Sequence, residues 1–404
     1  MWNFLAPPAF KPEQTGSEAD ERYRRLRWQV FIGIFIGYAG FYIVRKNFSM
    51  AIPMLAPFGF EKGELGVVLS MNAIAYGFSK FVMASISDRS NAQRFLPLGL
   101  ILAAISMMFM IVPVQWIGAD NKGLAIALMA ALNFLVGWFN GMGWPPCGRV
   151  MTHWFSIKER GTWMSFWNCA HNVGGALVGP MAVYGAAWFG SWFYGADEKS
   201  YFLIGTYLFP AAVAILIAII AYSMIRDTPQ SCGLSSIEKW RNDYADTYDE
   251  KSEEVLSTGQ IFRTVLTNKF LWYIAFANAF VYMVRYGCLD WAPTILTEQG
   301  IDIKEAGWAY FAYEMAAVLR GEVESLDTDE HHRTINEEAD TDQATNDDID
   351  IGEVLPVDDD QDCHDDHEED GRQGTTTVEH LIGQPTTDDR TRDGSHLVGE
   401  VGPT

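Results

Sequence analysis

The sequence predicts an all-α polytopic membrane protein, with a complete first bundle of six spanning helices, a polar linker, and a second bundle cut short within its second helix. Three observations predict it. Apolar stretches of about 20 residues, enough to cross roughly 30 Å of hydrocarbon as helix, recur along the first 320 residues. All 14 Trp, 25 Phe and 16 Tyr fall in that part. A short pattern in the first span returns 240 residues later in the seventh. The net charge of −22 over 404 residues hides this division. From Gly321 onward 27 acidic residues face 4 basic ones, a net of −23, which leaves +1 for everything before. That split argues against a single soluble domain, a nucleic-acid binder and a disulfide-stapled secreted module.

In chain order, residues 1–27 are polar and amphipathic without a small-residue cleavage site, so they read as an N-terminal segment and not a signal peptide. Spans begin near Trp28, Gly66, Phe95, Leu124, Gly161 and Tyr201, making a first bundle over 28–226. Basic residues gather before the first span (Arg22, Arg24, Arg25, Arg27) and after the second (Arg89, Arg94), fourth (Arg149, Lys158, Arg160) and sixth (Arg226, Lys239, Arg241). The opposite loops hold only Lys62, Lys122, Lys199 and Lys304, so the positive-inside rule puts the N-terminus in the cytoplasm. Residues 227–269 are too charged to enter the bilayer and form a cytoplasmic linker.

Spans seven and eight start near Phe270 and Gly307, within 270–318. Tyr42-Ile-Val-Arg45 with Pro53 eight residues on matches Tyr282-Met-Val-Arg285 with Pro293, and Glu64-Leu-Gly66 matches Glu305-Ala-Gly307. The second set therefore reads as a repeat of the first in the same orientation. The eighth span meets Arg320-Gly-Glu-Val-Glu after about a dozen apolar residues, about 18 Å of helix, short of the roughly 30 Å core. Residues 319–404 are expected to be an acidic disordered tail of frameshift origin, with a natural disordered tail as the other reading.

Arg45 shares a helical stripe with Tyr38, Tyr42 and Ser49, and Arg285 shares one with Asn278 and Tyr282. An Arg near mid-span costs about 2.5 to 3.5 kcal/mol on insertion scales, so each must reach an interface, a carboxylate or a cavity. Two guanidinium forks converging among Tyr hydroxyls suit a phosphate or phosphate ester, which accepts bidentate hydrogen bonds. Lys80, in Tyr76-Gly-Phe-Ser-Lys80, either snorkels toward Asp88 and Arg89 or contacts a ligand. His171 is one of two His outside the tail, and reads equally as a cross-helix hydrogen-bonding group or a pH-dependent phosphate contact. Asp88-Arg89 is either a solvated turn or a latch between helix ends. Gly33 and Gly37 are assigned to helix packing. Cys147, Cys169, Cys232, Cys288 and Cys363 are scattered and odd in number, so no disulfide framework is expected. His364-Asp-Asp-His367 reads as solvated tail and not as a metal site.

From Arg27 to about Val318 the chain resembles the organophosphate:phosphate antiporter family of the major facilitator superfamily. The resemblance rests on Gly37-Tyr-Ala-Gly-Phe-Tyr-Ile-Val-Arg-Lys-Asn47, Ala75-Tyr-Gly-Phe-Ser-Lys80, Ser87-Asp-Arg-Ser-Asn91, Gly141-Met-Gly-Trp-Pro-Pro-Cys-Gly148, Trp167-Asn-Cys-Ala-His-Asn-Val-Gly-Gly175, Arg226-Asp-Thr-Pro-Gln-Ser-Cys-Gly233 and Arg285-Tyr-Gly-Cys-Leu-Asp-Trp291. It implies the major facilitator fold. It further implies phosphate-gripping roles for Arg45 and Arg285, site roles for His171, Lys80, Tyr38, Tyr42, Tyr76 and Tyr282, and gating roles for Asp88, Arg89 and Glu314. The implied activity is exchange of external glycerol 3-phosphate for internal inorganic phosphate across a bacterial inner membrane. No bond is made or broken, so no enzyme, cofactor or metal is expected, and a monomer is. A hexose-phosphate or phosphoglycerate carrier, or a non-transporting organophosphate sensor, are the alternatives. Since the eighth span lacks the helices that would cover it, the chain as written is expected not to catalyse exchange.

Overall fold

A computed structural model describes residues 3–193, 198–244 and 258–319, and among these every regular element is a helix. α1 (Ser17–Arg45) opens with Glu18 and Asp20 in its first turn, where carboxylates oppose the positive end of the helix dipole. At about 44 Å it is longer than the apolar run beginning at Trp28, so part of the segment read as N-terminal is helix. It breaks at Lys46 and continues as α2 (Asn47–Leu55). α3 (Lys62–Ser87) starts in a reciprocal capping box between Glu61 and Glu64. α4 (Ala92–Met108) is capped by the Asn91 side chain, and α5 (Lys122–Asn140) by that of Asn121. After a turn at 141–143 the chain resumes as α6 (Trp144–Trp154).

The fifth predicted span is two helices, α7 (Ile157–Asn168), with a Ser156–Glu159 capping box, and α8 (Ala170–Phe193). α9 (Glu198–Met224) is the sixth. The stretch read as linker carries α10 (Ile237–Arg241) and α11 (Thr258–Thr267). α12 (Lys269–Glu298), capped by Asn268, stands where the seventh span is predicted, and α13 covers 303–319. By length and composition, five described helical segments can cross a membrane: Ser17–Phe58, Lys62–Ser87, Ala92–Ile117, Lys122–Trp154 and Leu203–Met224. The acidic tail, with His364, His367 and Cys363, lies outside the described residues; Cys147, Cys232 and Cys288 are free thiols.

α1 is the central post of the first bundle and packs against α8, α9 and α4. Gly37 makes this possible: a Cβ there would meet Leu96 Cδ2 at 2.7 Å and Ala221 Cβ at 3.4 Å. Trp154, Trp167, Phe41, Phe95 and Phe155 are fully buried around it, while Phe78, Phe81, Trp116, Leu216 and Ile219 point outward, as an apolar solvent demands.

Ionic and aromatic contacts fasten the end of the bundle that carries the basic residues. Tyr23 on α1 stacks on Trp240 of α10 at 4.4 Å between ring centroids, and the Trp240 indole N–H donates to Asp20 at 2.9 Å. Glu159 accepts from both Arg27 and Arg241, the latter at 2.8 Å. Buried Asp227 accepts from Arg149 at 3.0 Å and from the Ala92 backbone N–H at 2.9 Å, so one carboxylate joins α4, α6 and the end of α9.

Candidate functional site

A cavity of about 480 Å³ opens between the first bundle and α12 and α13. α1, α3, α8 and α12 bring Tyr38, Tyr42, Arg45, Tyr76, Lys80, His171, Tyr282 and Arg285 to its wall, so all eight sequence-predicted binding residues face one space. The helical stripe on α1 and the repeat in α12 both turn inward, because an aqueous cavity is the one place in a membrane where these polar faces keep their hydration.

The Arg45 guanidinium lies 3.9 Å above the Tyr76 ring, with Tyr42 and Tyr286 at 5.7 and 5.6 Å. Its Nη1 is buried without a hydrogen-bond partner. A buried guanidinium N–H left in that condition costs free energy that an anionic oxygen recovers. Lys80 Nζ sits 4.5 Å from the centroid of the same Tyr76 ring, and so turns to the cavity and not to Asp88 and Arg89. Asp88 and Arg89 are exposed, and among the described residues neither forms an ion pair.

Arg285 is held from α8, where its Nη2 donates to Asn172 Oδ1 at 3.2 Å and reaches His171 Nε2 at 3.3 Å. These contacts assign the imidazole tautomer. Arg285 only donates, so Nε2 presents its lone pair; the other ring nitrogen, Nδ1, faces the Asn168 carbonyl and carries the hydrogen. In this arrangement His171 is neutral and orients Arg285. Glu314 on α13 is 4% exposed and lies at the cavity wall, its Oε2 buried without a partner.

Sequence reasoning missed a second charged pair. Lys46, in the break between α1 and α2, bonds Asp290 of α12 at 2.5 Å, and Ser49 Oγ donates to the same carboxylate at 3.3 Å. Lys46 also lies 4.6 Å from the Tyr286 ring. The signal was a second cation beside Arg45, because a buried Lys requires a counter-charge and Asp290 is the carboxylate of the facing span. Asn168, Asn172, Tyr286 and Trp144 were missed as well; Asn172 contacts Arg285, and the other three line the cavity. No group of three or more metal-ligating side chains occurs among the described residues.

Apolar helices packed around a cavity lined by Arg45, Lys46, Lys80 and Arg285 define a polytopic helical membrane protein. The model of the Major Facilitator Superfamily matches residues 30–321, and the chain belongs to that family. It is 51% identical over 321 residues to a glycerol-3-phosphate transporter of Bacillus subtilis (strain 168), covering 79% of this chain and 68% of the relative. A glycerol-3-phosphate transporter of Haemophilus influenzae is likewise 51% identical over 324 residues, covering 79% and 66%. The chain thus spans about two thirds of the length of these relatives. In fold it resembles a bacterial homologue of the human lysosomal transporter Spinster in an inward-facing and unoccupied conformation, at 20% identity and a TM-score of 0.56 over 71% of this chain and 59% of that one.

Proposed function

We propose that the cavity binds a phosphate ester between Arg45 and Arg285, the binding step of an exchange of external glycerol 3-phosphate for internal inorganic phosphate by alternating access. The observation that carries this reading is the meeting of the two arginines, 240 residues apart in sequence, in one chamber where a buried Nη1 of Arg45 is unpartnered. Lys80 adds a third cation at the same Tyr76 ring. A phosphate monoester offers several anionic oxygens to these donors, and guanidinium forks bind such oxygens in pairs. The name borne by both relatives supports the choice of glycerol 3-phosphate.

The reading places the protein in a bacterial inner membrane as a monomer, with the basic end and the N-terminus in the cytoplasm, as the distribution of Lys and Arg favours. Residues 28–226 act as one rocking half and the helices from 270 onward belong to the other, tethered through 227–269. The chemistry is binding and release alone, with no covalent step. Asp88 and Arg89, exposed at the basic end, and Glu314 at the cavity wall are the residues proposed to respond to the change of state.

Trp144 at the cavity wall is a natural reporter of occupancy. The purified full chain is titrated with glycerol 3-phosphate while Trp fluorescence is followed, then challenged with inorganic phosphate. Saturable quenching reversed competitively by phosphate is expected. Quenching that phosphate leaves untouched would remove the shared-site reading, and stronger competition by glucose 6-phosphate than by glycerol 3-phosphate would move the substrate to a hexose phosphate.

A further inference from the structure

α11 (Thr258–Thr267) has 10 residues, fewer than the roughly 12 to 15 at which an isolated helix becomes even marginal in water. Something outside the helix has to hold it, yet every residue from Arg263 to Val284 is exposed. Its described tie to the protein is a hydrogen bond from the Trp272 indole N–H to the Leu266 carbonyl at 2.8 Å, beside the Asn268 cap where α11 gives way to α12. Helical spacing sorts the segment into two faces. Ile261, Phe262, Val265 and Leu266 occupy one, with Arg263, Thr264 and Thr267 opposite. Val265 and Leu266 are 48% and 56% exposed, so the apolar face lies open.

The distribution of charge says what covers that face. Six acidic residues and one Lys fall over 243–254, and after them neither Asp nor Glu occurs until Asp290. Within this acid-free stretch Arg263 and Lys269 are exposed cations on either side of the junction between the helices. Trp272 and Tyr273 follow, 58% and 74% exposed, and rings of these two kinds settle at the level of lipid headgroups, where one end stays wet and the body is apolar. An apolar face, a basic opposite face and adjacent aromatics are the marks of a helix that lies in the plane of a membrane interface.

We infer that α11 docks on the bilayer surface, its apolar face at the headgroup–acyl boundary and Arg263 and Lys269 bound to anionic phospholipid headgroups. A cation held near such a surface favours binding about fivefold, so two favour it by at least about tenfold after screening by salt. The acidic run over 243–254 is repelled by the same surface, so docking begins where the acids stop. Docked in this way, α11 fixes the start of α12 at the level of the headgroups. The inference is independent of what the cavity binds.

The test reconstitutes the full chain in vesicles of phosphatidylcholine, alone or in equal parts with phosphatidylglycerol, and follows backbone hydrogen exchange over 262–267 by peptide mass spectrometry. So short a helix protects its amides only while docked, and exchange therefore reads occupancy of the surface. Exchange is expected to be about tenfold slower in the anionic vesicles. Arg263→Glu combined with Lys269→Glu is expected to return it to the rate in phosphatidylcholine, and Val265→Asp to speed it in both lipids. The unsubstituted protein in about 1 M NaCl gives the same reading with no change of sequence, because the Debye length falls to about 3 Å and the difference between the lipids should vanish. Equal exchange of the parent in the two lipids at low salt, or an unchanged rate in Val265→Asp, overturns the proposal. So does slow exchange that survives the double charge reversal or the salt, which would mean that a protein surface and not the lipid covers α11.

Discussion

Arg45 and Lys46 are consecutive cations with different duties. Lys46 is spent on Asp290 at 2.5 Å, whereas Arg45 keeps a buried Nη1 without a partner among aromatic rings. The planar fork of Arg45 is what a phosphoryl group engages, and a point charge of the same sign does not reproduce it. Arg45→Lys is therefore expected to weaken competition by phosphate by at least about tenfold, near 1.4 kcal/mol, while the protein remains monodisperse. An unchanged inhibition constant in the fluorescence titration would take Arg45 out of the site. Arg45 was legible in the sequence because one helical stripe gathers it with Tyr38 and Tyr42, a property of spacing alone. The role of Lys46 was not, because its partner lies 244 residues away and only the meeting of α12 with the first bundle brings them together.

Element by element, the apolar density of the first bundle announced its long helices, and capping residues such as Asn91, Asn121 and Ser156 stand where helices start. The break at Lys46 and the join at Cys169 were not announced, since neither has a Pro or Gly at the break itself. α10 escaped notice for a related reason. Five residues make a poor helix alone, and this one is held by tertiary contacts: Trp240 on Tyr23, Trp240 on Asp20, and Arg241 on Glu159. Burial alone would raise the Glu159 carboxyl, but hydrogen bonds and charge from Arg27, the Ser156 N–H and Arg241 outweigh it and hold the carboxyl below the usual range. A depressed folded value stabilises the fold above the unfolded value, about pH 4.3, and that contribution is lost as pH falls through the folded one. Glu159→Gln is thus expected to lower the thermal midpoint at pH 7. It should also leave a shallower decline than the parent below about pH 4.3. A variant whose midpoint falls as steeply with acid as the parent's would show that Glu159 is not the group being titrated.

For the molecule as a whole, the pair of Lys46 with Asp290 lies at the cavity wall, where α2 packs on α12 beside a small apolar cluster of Met50, Val178, Ala182 and Ile303, so closure and binding share one contact. Reversing either charge alone places like charges against each other in a poorly hydrated site, a juxtaposition that costs several kcal/mol. The least costly relief is separation of α2 from α12, which unseals the end that the apolar cluster around Met50 keeps dry. With a thiol placed in that cluster by Met50→Cys, Lys46→Asp and Asp290→Lys are each expected to speed its labelling by a water-soluble maleimide about tenfold. The double reversal restores attraction across the same gap, so its labelling is expected to return near the parent rate. Phosphate affinity is not expected to return with it. The carboxylate brought to position 46 stands next to Arg45 and competes for the guanidinium that the ligand requires. Closure and binding would then come apart in a single protein. Labelling of the double reversal as fast as the single ones would mean that the halves are held together at this end by apolar packing alone, with the ion pair a bystander.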